Sequence, residues 1–136
     1  MGPWAAIRRC LVNPFLTDAR AGRPEFWWFF LFALVAQGAL VALDLALFKA
    51  GFARFDPYET INDAPVLTGG PLTTFGGIFL TIAIAAAGMR RLHDTGRRGA
   101  WMLLGLLPVV GWIPLAVLLA RRGNPEPNVY GPSPAP

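Results

Sequence analysis

"FWWFFLFALVAQGALVAL", residues 26 to 43, runs for 18 residues without a charge. A helix needs about 20 mostly apolar residues to cross a hydrocarbon core about 30 Å thick, so this stretch reads as a membrane span. Two further uncharged runs follow: Leu72 to Met89, of 18 residues, and Gly99 to Ala120, of 22. Composition agrees. The 136 residues are 54% hydrophobic and only 15% charged, with a mean hydropathy of +0.47, too little polar surface for a soluble domain of this length. The fold expected is an all-α membrane protein with three transmembrane helices, at about 26–48, 72–91 and 99–120. They form a single membrane domain over residues 1–122, and the Pro-rich end, 123–136, reads as an extended tail that cannot continue a helix. Gly76, Gly77, Gly105, Pro108, Gly111 and Pro114 lie inside these runs; bilayer helices tolerate such residues where neighbours satisfy the freed backbone groups.

The first run is too long for the core of a secretory signal and lacks a small-residue cleavage site behind it, so it is expected to stay in the mature protein. Ahead of it, Trp4, Ile7, Leu11 and Phe15 recur at helical spacing, with Arg8, Arg9 and Asn13 turned away and Pro14 ending the pattern. That is an N-terminal amphipathic helix, expected to lie in the interface. The net charge of +4 and pI near 10.2 could suggest nucleic acid, but the basic residues flank apolar runs and form no single stripe. Cys10 stands alone, which excludes an intramolecular disulfide and a cysteine-built metal site.

Basic residues set the orientation. Arg8, Arg9, Arg20 and Arg23 precede the first run, and Arg90, Arg91, Arg97 and Arg98 separate the second from the third. Both segments, the N-terminus and the loop over residues 90–99, are expected to be cytoplasmic. The connection with Lys49, Arg54, Asp56, Glu59 and Asp63 is then the outer loop. Three full spans leave Arg121 and Arg122 outside, a poor fit to the same rule. A re-entrant hairpin broken between Pro108 and Pro114 would return the tail to the inside, but it needs protein cover that a small chain hardly supplies. The three-span arrangement is the one expected.

Three stretches, "ARAGRPEFWWFF" (19 to 30), "RRLHDTGRRGAW" (90 to 101) and "GNPEPNVYGPSP" (123 to 134), together resemble the bacterial family called domain of unknown function 805. Ala19 and Gly22 depart from the pattern of the first motif. The resemblance implies a small multi-pass protein of the bacterial inner membrane, without an established activity. Its motif residues Arg20, Arg23, Glu25, Trp27, Arg90, Arg91, His93, Asp94, Arg97, Arg98 and Trp101 become the candidate site.

Positive-inside topology accounts for the arginines, with Gly96 placed as a helix C-cap. It does not require a histidine, an aspartate and a threonine in the same turn. The further reading is a cationic cradle for anionic lipid headgroups, since guanidinium binds phosphate bidentately, with His93 tuning affinity. Glu25, at the start of the first span, should pair with Arg90 or Arg91. Trp27 and Trp28 suit an interfacial aromatic belt better than a cofactor site. Asp44, the one acid in an otherwise spanning stretch, should reach water or Lys49; as a second possibility it would line a pore or relay a proton.

No catalytic constellation is legible: one histidine cannot make a two-His metal motif, and there is no phosphate loop or nucleophile elbow. The expectation is a non-enzymatic interaction or accessory protein with no metal and no cofactor. Its partners would be the bilayer, its anionic lipids, and a homo-oligomer or larger membrane assembly suggested by the small residues in "TTFGG" and "TIAIAAAG". The alternative is an oligomeric transporter or channel for a small solute or ion.

Overall fold

The computed structural model describes residues 2–51, 58–61, 64–67 and 70–134. Among these, helices dominate: α1 (Pro3–Val12), α2 (Arg23–Gly51), α3 (Pro71–Asp94), a 3-10 helix (Gly99–Leu106) and α4 (Trp112–Ala120). Between α2 and α3, β1 (Tyr58–Ile61) and β2 (Ala64–Leu67) form an antiparallel hairpin, with Tyr58 opposite Leu67 and Ile61 opposite Ala64. The side chains of Lys49 and Glu59, and residues Arg54, Asp56 and Asp63, all read as part of an outer loop, lie outside the described residues.

Two helices are long and apolar enough to cross a membrane, Arg23–Leu47 and Pro71–Asp94. The third run differs from expectation: Gly99 to Ala120 does not form one helix. Its 3-10 segment rises about 16 Å at about 2 Å per residue, and α4 rises about 14 Å, so neither arm reaches across the hydrocarbon. The break has local causes. Pro108 has no N–H to continue the helix, Val109 adopts φ 62°, and a side chain at Gly111 would strike the Leu104 carbonyl. Leu107 N–H donates to Leu104 O and Gly111 N–H to Leu107 O, both at 3.0 Å, closing the turn. The Trp112 indole then donates to Gly105 O at 3.0 Å, stitching one arm to the other.

The chain divides into two compact units, one of Met1–Phe32 with Ile82–Pro136, the other of Ala33–Thr81. In the first, Cys10, Phe26, Phe29, Ala83, Ala87, Leu92, Leu115, Leu118 and Leu119 make the core. α1 enters this core through Cys10, with Leu11 partly covered, and Ala6, one turn earlier, is buried too. Trp4 and Phe15, placed by the sequence on the apolar stripe, are instead about three-quarters exposed, at 75% and 73%. The helix forms, but its buried positions are the small residues Ala6 and Cys10 and not the large apolar ones.

In the second unit, Gly76 and Gly77 bring the backbone of α3 against Leu40 and Gln37 of α2. The Gln37 amide donates to Thr73 O at 3.4 Å. The Asp44 carboxylate accepts from Leu72 N–H at 3.2 Å and Thr73 N–H at 2.6 Å. Asp44 therefore satisfies two of the donors that the first turn of α3 leaves unpaired. Small residues of α3 also pack within the chain: Ala83, Ala86 and Ala87 are buried, and Gly88 faces Met102.

Candidate functional site: an arginine–carboxylate clasp at the end of α3

α3 ends in "RRLHD", and its last turn is closed by a Schellman pair. Gly96 N–H donates to His93 O and Arg97 N–H to Leu92 O, both at 3.0 Å, with Gly96 at φ 71°. Gly96 is thus the C-cap that the sequence predicts, and it ends the helix with Arg90, Arg91, His93 and Asp94 all buried.

Arg90 and Arg91 are adjacent in sequence and diverge. Arg90 Nη1 donates to Glu25 Oε1 at 2.9 Å, and Nη2 to the Cys10 thiol sulfur at 3.2 Å. The other oxygen of Glu25 takes Arg9 at 3.3 Å. One carboxylate thereby ties α1, α2 and α3 together, and between the two arginines named for it in the sequence, the partner is Arg90. Burial pushes the Cys10 thiol up from its ordinary pKa, against the opposing pull of Arg90. It is a neutral core residue at physiological pH.

Arg91 turns the other way. Its guanidinium donates to Asp94 Oδ2, to Arg121 O and, at 3.0 Å, to Leu119 O. Those carbonyls lie in the last turn of α4 and just past it, where the helix presents unpaired acceptors and favours a cation. Asp94 offers its other oxygen to Arg20, at 3.0 Å from Nε and 2.8 Å from Nη2. Arg20 Nη1 then reaches Glu126 O at 2.9 Å and Gly131 O at 3.1 Å, and Nη2 reaches Asn124 O.

The C-terminal segment is consequently held, where the sequence suggests only an extended tail. Asn124 N–H donates to Asp94 O at 2.8 Å, and the Asn128 amide to His93 O at 2.9 Å. Asn128 also accepts from Tyr130 N–H at 2.9 Å, shaping a turn that lays Tyr130 flat over His93, with centroids 3.9 Å apart and planes at 3°. A side chain at Gly123 would overlap the Asp94 carboxylate, so only glycine fits there. These contacts put residues 121–131 at the same end of α3 as the turn at Gly96. Gly99 to Ala120 folds as two arms joined by a turn, as in the hairpin alternative.

The candidate residues thus separate into two sets. Arg20, Glu25, Arg90, Arg91, His93 and Asp94 meet inside the clasp, while Arg23, Trp27, Arg98 and Trp101 are exposed and Arg97 packs 5.8 Å over the Trp101 ring. Asp44 belongs to neither, being occupied at the start of α3. Sequence reasoning missed Cys10, Asn124, Asn128 and Tyr130. The asparagine and glycine of "NVYG", a turn signal within the third motif, could have pointed to Asn128 and Tyr130.

These features define a helical protein with two apolar helices of membrane-crossing length and an arginine–carboxylate clasp joining three sequence motifs. The family described as "Protein of unknown function (DUF805)" matches residues 14–132, and the chain belongs to it. It is 36% identical over 117 residues to inner membrane protein YhaH of Escherichia coli (strain K12), covering 85% of this chain and 84% of that protein. To inner membrane protein YhaI of the same strain it is 32% identical over 117 residues, covering 86% and 84%. No solved structure matches the chain.

Proposed function

We propose that this protein is a non-enzymatic interaction or accessory protein of the bacterial inner membrane, whose cationic cytoplasmic end rests on anionic lipid headgroups. The observation that carries the reading is the division of the arginines. Arg20, Arg90 and Arg91 are buried and engaged within the chain, whereas Arg8, Arg23, Arg98, Arg121 and Arg122 are exposed and have no ion pair among the described residues. The exposed arginines flank the clasp in sequence, in α1, at the start of α2, after α3 and after α4. Exposed guanidinium groups at that level attract the anionic leaflet, at about 1 kcal/mol per charge near the surface.

In this reading α2 and α3 cross the bilayer, and the Gly99 to Ala120 hairpin dips into it from the cytoplasmic side and returns. Its exposed apolar tip, Leu106, Val109, Val110 and Ile113, suits acyl chains. All ten arginines outside the outer loop then lie on one side, which satisfies the positive-inside rule without the misfit of a third crossing. The protein associates with its own copies or a larger assembly through its exposed apolar flanks. Native mass spectrometry from mild detergent tests the central part. Wild type should retain more phosphatidylglycerol than phosphatidylcholine, and Arg97→Ala with Arg98→Ala should reduce that excess. An unchanged excess would remove the loop from the headgroup face.

A further inference from the structure

We infer that a groove beside the start of α2 holds one anionic phospholipid, its phosphate on Arg23 and an acyl chain along Trp27, Trp28 and Leu31. This rests on the lipid-facing reading above and gives it a particular site. The groove, of about 580 Å³, is lined by Arg23, Pro24, Trp27, Trp28 and Leu31 of α2 and by Ala120 at the end of α4. Arg23, Trp27 and Leu31 follow at intervals of four and so share one face, with Pro24 and Trp28 beside them. From Arg23 to Leu31 the helix rises about 12 Å. A cation at one end and an apolar wall running away from it match the polarity of a phospholipid, headgroup first and chain after. Ala120 is small enough to leave the space open.

Charge argues for the same occupant. The neighbouring clasp sets two carboxylates, Glu25 and Asp94, against four arginines, Arg9, Arg20, Arg90 and Arg91. Backbone carbonyls take further donors of Arg20 and Arg91, and the Cys10 sulfur takes one of Arg90, but none of these brings a formal negative charge. Arg23 adds a further cation with no acid paired to it among the described residues. The local excess is therefore positive, and a phosphodiester supplies the missing charge with acceptors that a guanidinium binds in a fork. A zwitterionic lipid brings an ammonium into that positive field, so the groove selects the anionic one.

Delipidated protein in mild detergent, given equal phosphatidylglycerol and phosphatidylcholine and read by native mass spectrometry, decides the matter. Wild type should retain one phosphatidylglycerol per chain. Arg23→Gln, at an exposed position, should weaken that retention about tenfold, the loss of one charge-assisted contact. Leu31→Trp, filling the groove, should weaken it with every charge intact. Wild-type retention in Arg23→Gln or Leu31→Trp would overturn the groove, as would displacement of the lipid by millimolar inorganic phosphate. If Arg97→Ala with Arg98→Ala loses lipid while Arg23→Gln does not, the groove fails and the cationic face stands. The reverse pattern keeps the groove and removes the face.

Discussion

Asp94 stands between two arginines, one on each carboxylate oxygen: Arg20, 74 residues earlier, at 2.8 Å from Oδ1, and Arg91, one turn back on α3, at Oδ2. Removing one partner of a buried pair strands the others. Asp94→Ala should therefore destabilise the protein by about 3–5 kcal/mol, as read by chemical or thermal unfolding in detergent. Gly123→Ala, which touches no charge directly but drives a methyl into the same carboxylate, should loosen the C-terminal segment and speed hydrogen exchange at Asn124. Unchanged exchange in that variant would dissociate the tail from the clasp.

Glu25 discriminates between neighbouring arginines. A double-mutant cycle on Glu25→Ala and Arg90→Ala should show a coupling of about 0.5–3 kcal/mol, because the two share a 2.9 Å bond. The cycle with Arg91→Ala should be near additive, since Arg91 spends its donors on Asp94 and the end of α4. Equal coupling in both cycles would mean that the pairing is diffuse.

How much of this was legible in the sequence differs element by element. The Gly96 cap and the two long helices follow from local signals: a glycine after a basic turn, and uncharged runs of 18 residues. The third run misled because hydropathy counts apolar side chains and is blind to where the backbone turns; Pro108, Val109 and Gly111 fold it back while every residue stays apolar. The clasp was only half visible. Glu25 and an arginine at the same depth could be matched, but Arg20 and Asp94 are joined through the tertiary fold, and nothing periodic marks such a pair. The buried face of α1 was hidden for a related reason, since Ala6 and Cys10 carry little apolar surface and do not stand out beside Trp4 and Phe15.

Asp44 should behave as a helix cap and not as a proton site. Asp44→Ala should cost about 0.5–2 kcal/mol, the usual loss for a cap, and raise amide exchange at Leu72 and Thr73. Gly70→Ala should produce the same exchange signature from the other side, because its methyl would land on the Asp44 carboxylate. Proton flux in liposomes that disappears in Asp44→Asn, with exchange at Thr73 unaltered, would contradict the assignment.

Cys10 provides a pH readout outside the spans. Its thiol is pushed up by burial, so the folded protein holds the proton more tightly than the unfolded chain. Stability from this group is full below the ordinary thiol range and is lost as pH rises through the folded value. Maleimide labelling of folded protein should be slow at pH 7 and quicken only under alkaline or denaturing conditions. Labelling at pH 7 as fast as a free thiol would show that α1 does not dock.

In the proposed arrangement the clasp returns the C-terminal segment to the end of α3, leaving two crossings. Compartment-specific reporters fused before Met1 and, separately, after Pro136 test it most directly. Both should report the cytoplasm. A cytoplasmic N-terminal reporter with a periplasmic C-terminal one would restore a third crossing and contradict the account.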